Sequence, residues 1–156
     1  MEDRYLFKAK RLDWREFPEK EQWITGYYVL GFNEYEQPVH LIFEPTSMFF
    51  SHGETDGWTE VDPSTICQCT GLKDKNGKLI WENDVIKYHF RDLYAQIRYG
   101  AYQNCFDSQK AEHIGFYVDW SESRNYRKDL GYWINIVNAE VVGNIFDNPE
   151  LLESEG

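Results

Sequence analysis

The sequence predicts a mainly β fold, and three observations carry that prediction. Aromatic residues make up 17% of the 156 residues, with eleven Tyr, ten Phe and six Trp, a load that suits pleated surfaces burying ring faces while leaving polar edges wet. Several short segments alternate apolar and polar residues with the period of a strand. Between two such segments, Asn76-Gly77 stands where a tight hairpin loop is needed, flanked by the polar Lys75 and Lys78.

Taken in order, Tyr5 to Lys10 alternates and Trp23 to Phe32 is an aromatic-rich run broken at Gly26, so the two predict an N-terminal antiparallel pair. Arg11 to Gln22, with Pro18 and many charges, is the connection between them. After a polar turn over Asn33 to Pro38, Val39, Leu41 and Phe43 alternate with their neighbours and extend the meander. Pro45 to Gly57 reads as a loop around Met48-Phe49-Phe50. Trp58 to Val61 predicts a short strand, and Asp62-Pro63 a helical start with Asp62 as N-cap and Pro63 at the first position. Ile66 to Thr70 continues as strand.

In the hairpin itself, the expectation is a two-residue loop with positive φ at both Asn76 and Gly77. Leu79-Ile80-Trp81 then enters a strand, Glu82-Asn83-Asp84 turns the chain, and Val85 to Phe90 pairs with Tyr94 to Tyr99. Gly100 to Ile114 reads as an irregular insertion or a short helix, Ile114 to Trp120 as strand, and Ser121 to Leu130 as a charged loop. Tyr132 to Val137 and Glu140 to Phe146 supply the last strands, and Pro149 to Leu152 a final short helix with Pro in its first turn.

The formal net charge is −11. Residues 1–22 carry six bases and six acids, so the excess, ten bases against twenty-one acids, lies from Trp23 onward. Such a field repels a phosphate backbone and disfavours non-specific nucleic-acid binding by the main body. Lys8, Lys10, Arg11 and Arg15 are the basic exception, read as a solvated face or a local contact site. Three cysteines, an N-terminus without an apolar leader and the lack of any run near the roughly 20 apolar residues of a membrane span predict reduced thiols and residence in a cytoplasm.

The order VDPSTICQCTGLKDKNGKLIWENDVIKY over Val61 to Tyr88, followed by EVVGNIFDNPELL near the C-terminus, resembles the YopX-like proteins of phages and prophages of Gram-positive bacteria. YLFKAKRLD and WITGYYVL fit the same pattern. The resemblance implies an SH3-like barrel, here from about Trp58 to Phe146, with an additional N-terminal antiparallel sheet and a short C-terminal helix. The division expected is 1–57 for the N-terminal β-rich segment and 58–156 for the barrel core. It brings no catalytic residues. This chain has Asn83 where the family favours Gly, and Asn is the side chain best able to hold a left-handed conformation; it has Cys69 where the family favours an aromatic residue.

Motifs for chemistry are sparse. Cys67 and Cys69 would share one face of a strand and could offer two thiolates, but a closed zinc site needs two further ligands that Cys105, His40, His52, His89 or His113 could supply only through the fold. The bland reading is two small buried hydrophobes. His52-Gly53-Glu54-Thr55-Asp56 joins an imidazole to two carboxylates, yet matches no cation loop and is explained by turn chemistry. The sequence contains no nucleophile elbow, phosphate-binding glycine loop, zincin helix or dinucleotide fingerprint. The six Trp are more than a core of this size readily absorbs, so they are read either as core and sheet-face residues or, for some of them, as residues of an interface. The expectation is a non-enzymatic phage or prophage accessory protein, without cofactor or metal, that binds a host or phage protein in the host cytoplasm and forms a homo-oligomer. Trp81, Glu82 and Asp84 are its candidate partner contacts, weighed against ordinary turn packing. The alternative is a nucleic-acid-associated module, by direct contact or by acidic DNA mimicry.

Overall fold

The computed structural model describes residues 2–44, 57–88, 90, 92–104, 107, 109, 111–120 and 127–153. It is mainly β, with ten strands, one α-helix and several single-turn 3₁₀ helices among those residues. The chain forms two compact units, Met1–Cys69 and Thr70–Gly156.

In the first unit β1 (Phe7–Lys10), β2 (Trp23–Phe32), β3 (Pro38–Phe43), β4 (Trp58–Glu60) and the start of β5 (Cys67–Lys73) pair in the order β4-β3-β2-β1-β5. β2 serves two ladders. Its first four residues pair with β1, from Lys10↔Trp23 to Phe7↔Gly26, and its last six pair with β3, from Tyr27↔Phe43 to Phe32↔Pro38. Gly26 sits at the changeover, and a Cβ there would lie 2.0 Å from the Phe43 carbonyl oxygen. Only glycine lets the two backbones come that close. Ala9, Ile24, Ile42 and Val61 form the core of this unit, with Phe7 and Ile66 packed on it. Between β1 and β2, residues 11–22 form two single 3₁₀ turns, Trp14–Glu16 and Glu19–Glu21, in keeping with a Pro-containing connection. Asp62 caps the turn Pro63–Thr65 as its sequence predicts, its side chain accepting the Ser64 N–H at 3.0 Å.

The second unit holds a four-stranded antiparallel sheet in the order β10-β7-β8-β9, built from β7 (Asp84–Tyr88), β8 (Leu93–Tyr102), β9 (His113–Asp119) and β10 (Glu140–Asn144). β6 (Leu79–Trp81) returns from β5. Its core gathers Ile80, Ile86, Ala95, Ile97, Val118, Trp120 and Val141 with Leu130, Trp133 and Ile134 of α1 (Leu130–Asn135). Among the described residues no sheet closes into a barrel, although an isolated bridge, Arg11↔Val61, joins the chain just after β1 to the chain just after β4. The architecture is thus two open antiparallel sheets, without the closed barrel that the family resemblance implied.

Two local expectations are corrected. Tyr132 to Val137 is not a strand, because Leu130, Trp133 and Ile134 are buried at the i, i+3, i+4 spacing of a helix face. The Asn76-Gly77 loop is not a two-residue turn. The Gly77 N–H donates to the Asp74 carbonyl at 3.0 Å and the Asp74 N–H to the Lys78 carbonyl at 2.9 Å, so the turn spans Asp74 to Gly77 and only Gly77 of the pair has positive φ, 78°. The cause is Asp74: one carboxylate oxygen accepts the Asn76 and Lys78 N–H groups at 2.9 and 3.0 Å and stabilises the longer turn. The final helix is where it was expected, as a 3₁₀ turn over Pro149–Leu152.

Candidate functional site

Trp81, Glu82 and Asp84 form the turn between β6 and β7, and its shape follows from Asn83. Asn83 has φ of 71°, the left-handed conformation its side chain tolerates better than most. Its N–H donates to the Ile97 carbonyl at 2.8 Å, its carbonyl accepts the Ile145 N–H at 3.0 Å, and its side-chain oxygen accepts Gln96 Nε2 at 2.8 Å. The Asp84 carboxylate accepts the buried Trp81 N–H at 2.9 Å. Trp81 and Asp84 are 8% and 2% exposed, whereas Glu82 is half-buried. Of the three, Glu82 is the one with substantial side-chain surface.

The preceding turn is anchored in the same manner. The second oxygen of Asp74 accepts the Val141 N–H of β10 at 3.0 Å, in a buried setting. Burial pushes the Asp74 carboxyl pKa up, but the N–H groups of Val141, Lys78 and Asn76, aided by the Lys78 charge, outweigh it and hold the group below its ordinary value.

A third polar constellation escaped the sequence reading. The Asp129 carboxylate, just before α1, accepts Tyr102 Oη at 3.2 Å, Asn104 Nδ2 at 3.0 Å on both oxygens, and Arg127 Nε and Nη2 at 3.1 and 2.9 Å. The Asn104 side-chain oxygen accepts the Lys128 N–H at 2.8 Å. Beside it, His113 Nε2 lies 2.8 Å from Asp107 Oδ2, and the Tyr102 ring stacks on His113 and Tyr117, each with centroids 5.2 Å apart. Burial raises the Asp129 carboxyl pKa, and the bonds from Asn104, Arg127 and Tyr102 more than reverse that, so its net direction is down. Burial and the Asp129 charge push the Tyr102 phenol up. A carboxylate so fully engaged ties the C-terminal end of β8 to the start of α1. The spacings Tyr-x-Asn over 102–104 and Arg-x-Asp over 127–129 are unremarkable alone, and only the fold joins them.

Cys67 and Cys69 share one face of β5, as their spacing implies, and both are buried. The Cys67 thiol donates to the Thr65 carbonyl at 3.2 Å. Among the described residues no three His, Cys, Asp or Glu side chains are grouped as a metal site. Cys105, His89 and the His52 to Asp56 cluster lie outside the described residues.

The basic N-terminal residues engage aromatic rings. Lys10 Nζ lies 4.0 Å from the Trp14 centroid and 5.5 Å from that of Trp23, Lys8 Nζ is 4.9 Å from Trp23, Arg15 stands over Trp14 at 4.4 Å and Arg11 over Phe17 at 4.6 Å. Lys10 is only 3% exposed. This arrangement covers one end of the sheet and uses the cations within the unit.

The opposite end of that sheet face is open. From the register, Tyr27 and Val29 of β2, Val39, Leu41 and Phe43 of β3, and Trp58 of β4 point away from the Ile24–Ile42 core. Tyr27, Val29 and Trp58 are 47%, 40% and 46% exposed, and Phe43 and Trp58 touch with ring centroids 4.6 Å apart. Six apolar side chains thus form a contiguous apolar surface on three adjacent strands, with Tyr27, Val29 and Trp58 exposed and Val39, Leu41 and Phe43 half-buried. Of the six Trp, whose number allowed either core or interface roles, only Trp58 lies among the exposed large hydrophobic residues.

The fold and this surface define a mainly β protein of two open antiparallel sheets, one of which keeps an apolar outer face. The chain belongs to the YopX protein family, whose model matches residues 17–153. No curated protein matches the sequence. Among solved structures it is similar to protein EF1440 from Enterococcus faecalis, at 17% identity over 95% of this chain and 96% of the other, with a TM-score of 0.41. No helix among the described residues is long and apolar enough to cross a membrane.

Proposed function

We propose that this YopX-family chain is a non-enzymatic accessory protein of a phage or prophage that acts in the host cytoplasm by binding other proteins. The observation supporting this reading is the apolar outer face of β2, β3 and β4, centred on Tyr27, Phe43 and Trp58. Apolar side chains left open to water on a regular sheet gain free energy when a partner covers them, and aromatic anchors of this kind dominate protein–protein contacts. The alternative nucleic-acid reading has weaker support, since its basic residues are already stacked on Trp14, Trp23 and Phe17.

Capture of the tagged protein from host lysate, with nuclease present, tests the reading against Val29→Lys, which places a charge in the face on a side chain 40% exposed. The expected result is a co-purifying protein retained by the native chain and lost with the variant. Partners kept equally by both would refute the assignment of this face, and partners lost on nuclease treatment would promote the nucleic-acid reading.

A further inference from the structure

We infer that the occupant of the apolar outer face of β2, β3 and β4 is a short basic segment of a partner protein, in which Arg or Lys residues alternate with apolar ones; the inference rests on the interaction reading above and names the chemistry of that partner.

The charge around the face leads there. From Trp23 to Leu72 the chain contains seven carboxylates, at positions 34, 36, 44, 54, 56, 60 and 62, and no Lys or Arg. Glu34 and Glu36 lie in the turn that joins β2 to β3. Glu44 directly follows Phe43, its N–H donating to the Gly57 carbonyl at 3.0 Å, and Glu60 stands opposite Leu41 on β4. Among the described residues none of these four forms a salt bridge. The cations on the β1 side are engaged within the unit. Lys8 lies over Trp23 at 4.9 Å, and Arg11, which the bridge to Val61 brings beside the end of β4, stands over Phe17 at 4.6 Å and donates Nε to the Glu21 carbonyl at 3.0 Å. The acidic frame is therefore most open at the two ends of β3.

A frame of one sign selects its occupant. A second copy would set carboxylates against carboxylates, and a nucleic acid would set phosphates against them. A segment with positive charge beside apolar side chains matches both the centre and the frame. Tyr27 and Trp58, 47% and 46% exposed, offer aromatic surface on which a guanidinium or ammonium group gains a cation–π contact, and the aliphatic stems of Arg and Lys add apolar cover.

The area sets the size of the occupant. With Tyr27, Val29 and Trp58 about half exposed and Val39, Leu41 and Phe43 half-buried beside them, the face offers about 300–400 Å², well under the ~800 Å² per partner of a standard interface between folded proteins. A few residues of an extended segment cover it.

Selection from a random displayed-peptide library on the immobilised native chain, after depletion on Tyr27→Thr with Val29→Thr, tests this. The double variant keeps the net charge and the strand preference while removing apolar surface, so depletion on it discards peptides held by general charge attraction. Retained peptides are expected to be rich in Arg and Lys interleaved with apolar residues. By isothermal titration, binding of such a peptide should weaken about two- to five-fold with Glu34→Gln plus Glu36→Gln, and likewise with Glu44→Gln. Glu150→Gln plus Glu153→Gln, a like charge change in the second unit, should leave it at the native value, with circular dichroism confirming that each variant is folded. Retained peptides that are neutral or acidic overturn the basic occupant while leaving the face as an interaction surface. Equal weakening by the second-unit pair overturns the role of the acidic frame. A selection that retains nothing beyond the depleting variant overturns the short segment, and the lysate capture with Val29→Lys then decides the interaction reading separately.

Discussion

Replacing Asp74 with Asn changes one atom in a buried position and should measurably loosen the second unit. In the native chain one Asp74 oxygen holds the Asn76 and Lys78 N–H groups of the turn and the other holds the Val141 N–H of β10. An amide can satisfy one of these two sides but presents Nδ2 to the other. If its oxygen stays on the turn, a donor faces the buried Val141 N–H. A charge-assisted bond of this kind is worth about 1.5–3 kcal/mol, and a buried N–H left without an acceptor costs about 1–3 kcal/mol. Together these give an expected loss of about 2–4 kcal/mol, a large share of the roughly 5–15 kcal/mol that stabilises a typical domain. Urea unfolding of Asp74→Asn beside the native chain measures it, with an unchanged m-value showing that the folded ensemble is the same. The pH dependence is a second check. The native carboxyl is held below its ordinary value of 3.8, so the folded state binds protons less readily than the unfolded one. Its contribution is complete above that ordinary value and is lost as pH falls through the folded-state pKa. The gap between native chain and variant should therefore narrow in strong acid. A difference under about 0.5 kcal/mol at pH 7, well below the range expected from these bonds, would refute the argument.

Gly26→Ala places a methyl group against the Phe43 backbone, 2.0 Å from its carbonyl oxygen, and backbone cannot step aside as a side chain can. A loss of about 2–4 kcal/mol or failure to fold is expected by thermal denaturation. At the Trp81 to Asp84 turn the two acids should separate: Asp84→Ala strands the Trp81 N–H and costs about 1–3 kcal/mol, while Glu82→Ala stays within about 0.5 kcal/mol, both read by urea midpoint. Asn83→Val, at a φ of 71°, should destabilise by about 1–2 kcal/mol where Asn83→Gly is neutral or better. Asp129→Ala frees Tyr102, Asn104 and Arg127 together, and faster amide exchange should appear at the C-terminal end of β8 and at the start of α1 before the sheet core responds.

Much of the fold was legible because strands covering one core announce it by alternation. β1, β3, β4, β7 and β9 lie where the pattern put them, and Asp62-Pro63 forms the capped turn its residues specify. α1 was not legible. Six residues make fewer than two turns, and Leu-Gly-Tyr-Trp-Ile-Asn suits a strand by composition; only packing of Leu130, Trp133 and Ile134 decides for helix. The Asn-Gly signal named the right hairpin and the wrong turn, since the Asp74 side chain competes for the same N–H groups. At the candidate site, the left-handed Asn83 could be read directly. The burial of Trp81 and Asp84 could not, because it depends on β8 and on the chain after β10. Tyr27-Tyr28-Val29-Leu30 did hold a clue to the outer face: apolar residues on both sides of β2 imply that both sides are to be covered. Tyr28 is covered within the chain, stacked on His40 with centroids 5.9 Å apart, while Tyr27, Val29 and Leu30 stay open.

The pairing of β1 bears on how the protein is made as well as how it stands. One neighbour of β1, β2, follows it in sequence, but the other is β5, joined through Phe7↔Gln68 and Lys8↔Cys67. The Lys10 carbonyl likewise accepts the Asp62 N–H, and Cys69 donates to the Leu6 carbonyl. During synthesis the N-terminal strand therefore waits, half-paired, until β5, about sixty positions later, has left the ribosome, and non-local pairing of this kind slows folding. Nascent chains arrested shortly before Gln68 should be cut by protease within β1, and those arrested far enough beyond it to expose β5 should be protected.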